Sequence, residues 1–187
     1  MRIQVIIQSV FLVVLFAVQL GCDSDGNAQQ VNSELNILFS GTFVPAPANT
    51  DTIDDGRPAS LRTYQGQGEF GNSNITILDE FAQPIPPANC PLDNLEFDLV
   101  QGSFVIRVNN GDLLLGTIES GFSCFDPVAR RSEIFEEGII TDGTGQFAGA
   151  SGVVEISTNS IFQNTTAVDG FASGGSTGEF NSTIEFP

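Results

Sequence analysis

Apolar and polar residues alternate along most of the chain after its first apolar run, and alternation with a period of two is the signature of extended strands with one buried face. Leu35, Ile37, Phe39 and Phe43 fall on one face of a stretch from Leu35 to Phe43, with Asn36, Ser40 and Thr42 on the other. Leu61 to Asn72 reads as a glycine-rich strand that continues through Ile75 to Leu78 after a turn or bulge. Phe104, Ile106 and Val108 alternate with Val105, Arg107 and Asn109, Asn110-Gly111 supplies hairpin turn chemistry, and Leu113 to Ile118 returns. Glu96 to Leu99 begins the outgoing arm, with Gly102 as a bulge. Ile134 to Ile140, Val153 to Ile161, Thr166 to Ser173 and Glu179 to Phe186 complete the set. Between them Val44 to Ser60, the proline-rich Asp79 to Asp93, and Gly121 to Ser132 read as loops. The later chain shows no sustained helical period. These arms predict an all-β domain of about eight antiparallel strands. Closure into a barrel accounts for them better than a sandwich, because it removes exposed strand edges.

One stretch is unlike the rest. Thr141 to Gly152, TDGTGQFAGASG, places Gly143, Gly145, Gly149 and Gly152 between two strand-like runs. Asp142-Gly143 reads as a primed hairpin turn, which glycine accepts at no steric cost. Phe147 reads as an anchor that plugs into the core, with Gly149 and Ala150 letting another backbone approach. The run from Gly143 to Gly152 resembles the G-T-G-x-F-x-G-A-x-G signature of the allene oxide cyclase and dirigent barrel superfamily. The resemblance implies an eight-stranded antiparallel β-barrel of lipocalin-like outline, an interior able to hold apolar molecules, and association into dimers or trimers. It implies no active-site residue, since the shared motif is a structural corner.

The N-terminus changes the picture of where the domain operates. Met1, Arg2 and an apolar run from Ile3 to Leu20, followed by Gly21-Cys22, describe a secretory signal with a cysteine directly after it, the arrangement of a bacterial lipoprotein. The expected division is a signal peptide over 1–21, a polar tether over 22–32 and one β-barrel domain over 33–187. Cys22 is the expected lipidation site, which makes the membrane a partner through that anchor and places the domain on the extracytoplasmic side. Cys90 and Cys124 are then left as a pair in an oxidising compartment, and they are expected to form a disulfide.

Charge narrows the partners. Six basic residues face 23 acidic ones, giving a net charge of −17. Such a molecule repels phosphate backbones, so nucleic acid is not an expected partner. There is no histidine, which removes the usual general base and the nucleophile–histidine arrangements. No cofactor and no metal are expected: Asp51, Asp54, Asp55 and Gly56 depart from the calcium-loop spacing. What remains for chemistry is carboxylates, arginines, hydroxyls and the single tyrosine. Arg107 could meet an anionic ligand head if its face of the strand turns inward. Tyr64 and Glu119 are the other candidate ligand contacts, and Glu119, Glu136-Glu137 and Asp54-Asp55 are candidates for paired-carboxylate work.

The functional expectation is a lipid-anchored barrel that binds a small apolar ligand or serves as an envelope interaction module, without evident catalysis. The alternative is an isomerase or cyclase of the kind the resemblance suggests, which a buried carboxyl with a raised pKa would favour.

Overall fold

The computed structural model of the 187-residue chain describes residues 31–47, 50–54, 56, 59–163 and 173–187. The signal segment, Cys22, most of the tether and Thr166 to Ala172 of the expected strand lie outside them. The described chain is a closed barrel of eight antiparallel strands in sequence order: β1 (Val31–Pro45), β2 (Ser60–Gly68), β3 (Gly71–Phe81), β4 (Leu95–Val108), β5 (Leu113–Asp126), β6 (Arg131–Gly143), β7 (Ser151–Phe162) and β8 (Gly174–Phe186). β1 closes the ring on β8, with Val31 opposite Phe186 and Phe43 opposite Gly174.

Several elements differ from the sequence expectation for identifiable reasons. β2 and β3 are separate strands joined at Glu69-Phe70, because Gly71 takes a positive φ and reverses the chain there. The bulge in β4 falls at Val100, since Glu80 faces Gln101 while Phe81 faces Leu99. Gly121 to Asp126 is strand. A register shift between Ile118 and Ser120 leaves Glu119 as the extra residue, so the inward positions move from Ile118 to Gly121, Ser123 and Phe125 and the alternation breaks phase. β1 also starts earlier than expected, at Val31. The Asp142-Gly143 pair is the end of β6, and the connection to β7 runs through a 3-10 turn at Gly145–Phe147.

The two ends of the barrel are different. At one end the connections are short: Glu69-Phe70, Asn109 to Asp112 and Thr144 to Ala150. Phe147 turns inward there at 1% exposure, with its ring edge-on to Phe70 at 5.0 Å. Gly145 (φ 57°) makes this turn possible, and the Asp112 carboxylate accepts the Gln146 amide. Above this plug the interior is apolar: Leu35, Ile37, Ile75, Ile106, Leu114, Val154, Ile156 and Ile184 form one continuous core. Phe104 and Phe180 meet edge to face at mid-barrel, 5.2 Å between centroids. Phe104 fits because Gly116 lies beneath it, where any side chain would collide with its ring. Burying such a ring stabilises the fold by about 1.5–3 kcal/mol.

All the longer connections leave from the opposite end, and two of them are held down on the outer wall. Glu80 and Glu96 point outward yet are 1% and 0% exposed. Glu80 accepts the Thr52 amide (2.8 Å) and hydroxyl (2.5 Å) and the Gln101 amide (3.0 Å), fixing the β1–β2 connection. Glu96 accepts the amides of Ala88 and Asn89 (2.6 and 2.7 Å), the Asn89 side chain (2.7 Å) and the Cys90 amide (3.2 Å). These bonds, the Asn89 amide foremost, hold its carboxyl below the ordinary glutamate pKa. The neighbouring Cys90–Cys124 disulfide, Cα atoms 5.4 Å apart, completes the clamp.

Candidate functional site

The inward-facing positions change character toward the loop end. Arg62 on β2, Asp79 on β3, Glu136 on β6, and Thr158 and Ser160 on β7 all point into the barrel and are at most 3% exposed. Strand parity puts them there. Arg62 shares its face with Tyr64, Asp79 with Ile75 and Ile77, and Glu136 with Ile134 and Ile140. The register brings these strands around one closed ring, so side chains from distant parts of the sequence converge.

Arg62 is the hub. Its Nη2 donates to both oxygens of Glu136, at 2.5 and 2.6 Å, and lies 2.8 Å from Asp79 Oδ2. Its Nη1 reaches the Thr158 hydroxyl at 3.3 Å. Burial works to lower the guanidinium pKa, but the charges of Asp79 and Glu136 outweigh it and keep Arg62 firmly protonated. One cation cannot neutralise two carboxylates, and the excess falls on Asp79. Burial pushes its pKa up to about 8; Arg62 opposes the rise and Glu136 adds to it. At neutral pH Asp79 therefore tends to hold its proton, which lessens the excess of negative charge around the single guanidinium.

Several polar atoms in this chamber have no aligned hydrogen bond: both Asp79 oxygens, Arg62 Nε and the Tyr64 hydroxyl. Asp79 is paired with Arg62 by distance, but its oxygens are not aligned on the donor. In its acid form Asp79 becomes a donor toward Glu136, which lies within hydrogen-bonding reach. Tyr64 stacks against Phe39 (4.4 Å) with Ser176 beside its hydroxyl, and burial raises its pKa. Ser160 and Ser176 pair at 2.8 Å, and Ser123 and Ser132 at 2.5 Å, extending the polar lining. Toward the rim, Phe162 stands between Phe43 and Phe125, each ring centroid 5.0 Å away, so the polar chamber lies between an aromatic rim and the apolar core.

Of the residues singled out in the sequence, Tyr64 and Glu136 belong to this chamber. Arg107 does not: Phe104 and Ile106 take the inward face, and Arg107 is exposed on the outer wall. Glu119 is exposed at the β5 bulge. Glu137 also faces out and accepts the Ser120 hydroxyl at 3.4 Å. Asp54 is exposed with a positive φ, and Asp55 lies outside the described residues. Cys90 and Cys124 are bonded. In the glycine motif Phe147 is the core anchor, while the close backbone approach occurs at Gly152, against the Thr183 carbonyl. Gly149 adopts φ 75° and sits against the Pro187 ring. No group of three or more acidic or cysteine side chains suited to a metal occurs among the described residues. Arg62 and Asp79 were missed, although Asp79 continues the inward parity of Ile75 and Ile77. No family model matches the chain, and no curated protein matches it.

Proposed function

We infer that this barrel encloses a small, largely apolar molecule at its loop end and moves a proton on it, the chemistry of an isomerase or cyclase. The observation that carries this reading is Asp79: a fully buried acid, protonated near neutral pH, 2.8 Å from Arg62 and within reach of Glu136, in the same chamber as the Tyr64 hydroxyl and Arg62 Nε, neither of which has an aligned hydrogen bond. Buried polar atoms are normally satisfied, and a cluster of exceptions marks a site of use. Asp79 gives its proton to a ligand oxygen, and the carboxylate so formed, or Glu136 beside it, takes a proton from ligand carbon. The product has the composition of the substrate. Arg62 stabilises the anionic stage, and the phenylalanine rim excludes water. The resemblance of the Gly143 to Gly152 motif points the same way.

A second reading is a filled structural barrel, favoured by the enclosure of Arg62, Asp79 and Glu136, whose side chains are at most 1% exposed. Native mass spectrometry of protein purified gently from its host, compared with the denatured mass, separates the two. A co-purifying molecule that gains deuterium when the wild-type protein is held in D2O, and does not with Asp79→Asn, is the expected result. Protein that never carries a ligand supports the filled barrel. A bound molecule that never exchanges returns the reading to simple binding.

The proposal includes attachment to a membrane through lipidated Cys22, on the extracytoplasmic side, supported by the apolar N-terminal run ending at Gly21-Cys22 and by a disulfide suited to an oxidising compartment. The intact mass of membrane-extracted protein should carry diacylglyceryl and acyl groups and lose them in Cys22→Ala. An unmodified soluble protein removes the anchor.

A further inference from the structure

The outer wall made by β1, β2 and β3 carries a groove of about 630 Å³, on the far side of the strands from the proton site. The register arranges its outward side chains in rows across the three strands. Leu38 faces Gln67, which faces Asn72; Ser40 faces Gln65, which faces Asn74. A third row, Thr42, Thr63 and Thr76, continues the wall toward the loop end. All nine positions are exposed. None is charged, in a chain of net charge −17; charges border the patch at Glu179, at Arg107 and at Glu69, whose carboxylate accepts from Asn36 beside Leu38. The four amides have no side-chain hydrogen-bond partner among the described residues. Neighbouring rows and strands set them about 5–7 Å apart.

This composition selects its occupant. Anionic polymers are repelled by the molecule as a whole, and a cationic partner is drawn to its acidic faces rather than to this neutral one. A second copy of the chain needs an apolar interface centre, and Leu38 is the single apolar side chain of the nine. Each amide instead offers an acceptor and two donors side by side, the complement of adjacent hydroxyls that both donate and accept. We propose that the groove binds an uncharged polysaccharide chain, with Gln65, Gln67, Asn72 and Asn74 reading its hydroxyls and Leu38 covering the C–H face of one sugar ring.

The test is the mobility of this acidic protein in native gels cast with hydroxyethyl cellulose, dextran or laminarin, compared with gels that hold no polysaccharide. At least one of these neutral glucans should retard the full chain. Gln65→Ala/Asn74→Ala should weaken that retardation about tenfold, the loss of one or two hydrogen bonds, with the melting temperature unchanged. Gln67→Glu/Asn72→Asp, which keeps side-chain size and adds charge, serves as the second variant and should weaken retardation similarly. Retardation by none of the three polymers, or equal retardation of wild type and both variants, overturns the proposal. So does a concentration-dependent dimer that the variants abolish, since the face then binds a second copy.

Discussion

Arg62 and Glu136, 74 residues apart in the chain, meet inside the barrel through one guanidinium nitrogen that touches both carboxylate oxygens. Neither charge can reach water, so each depends on the other. Arg62→Ala, which strands Glu136, should cost about 3–5 kcal/mol in guanidinium unfolding. A double change to apolar residues of similar volume, Arg62→Met with Glu136→Leu, should cost much less. Equal losses would mean that packing, not charge pairing, holds this part of the interior.

Asp79 gives stability an unusual pH dependence. Its folded pKa, about 8, is raised above its unfolded value near 4, so the folded state holds the proton more tightly. Its contribution is fully present below pH ~4 and is lost as pH rises toward 8, with a slope of up to about 1.4 kcal/mol per pH unit. Glu96 and Glu69, whose pKa values are lowered, act in the opposite sense and lose their contribution as the solution becomes strongly acidic. Stability should therefore peak in mildly acid solution. Asp79→Asn should flatten the decline between pH 5 and pH 8 in urea titrations; an unchanged slope would place its source elsewhere.

The Cys90–Cys124 bond closes a separation of 34 residues. Its removal by Cys90→Ser/Cys124→Ser should lower global stability by about 3–4 kcal/mol. Hydrogen exchange at Ala88, Asn89 and Cys90 should rise further when Glu96→Gln is added, because that carboxylate accepts all three amides.

At the other end, Phe147→Ala should cost about 3–5 kcal/mol, as a fully buried ring leaves a cavity between Phe70 and the apolar core. Arg107→Ala and Glu119→Gln, both on exposed wall positions, should stay within about 0.5 kcal/mol of wild type. A large effect at either exposed position would reveal a contact made in an assembly.

The strands were legible because Leu35, Ile37 and Phe39, or Phe104, Ile106 and Val108, keep an unbroken period of two, and closure followed from the need to remove the edges that about eight strands would otherwise expose. An added residue shifts the phase at Glu119 and at Val100, so the alternation that marks a strand is interrupted there and the strand beyond Glu119 has the pattern of a loop. Phe147 was readable as an anchor because small residues flank it. The chamber was harder to see. Arg62, Asp79 and Glu136 occupy inward positions beside Tyr64, Ile77 and Ile134, a visible clash of polarity with parity, but their pairing follows from barrel closure, which no local pattern carries. Tyr64 was readable as the lone tyrosine, whereas Arg107 drew notice for a charge that simply faces solvent. The neutral outer wall went unnoticed because polar outward residues look alike until strand register sets them in rows.

Closure has a temporal side. A chain made from its N-terminus presents β1 long before β8 exists, yet each of the thirteen register positions from Val31 to Phe43 is completed only by residues 174–186. Until then β1 has one unmet edge and the Arg62–Glu136 chamber lacks its eighth wall. Non-local closure of this kind is slow and leaves a pairing edge open to other chains. The feature that leaves the finished barrel with no edge makes its unfinished form the state most exposed to misassembly, and the last strand to arrive decides both.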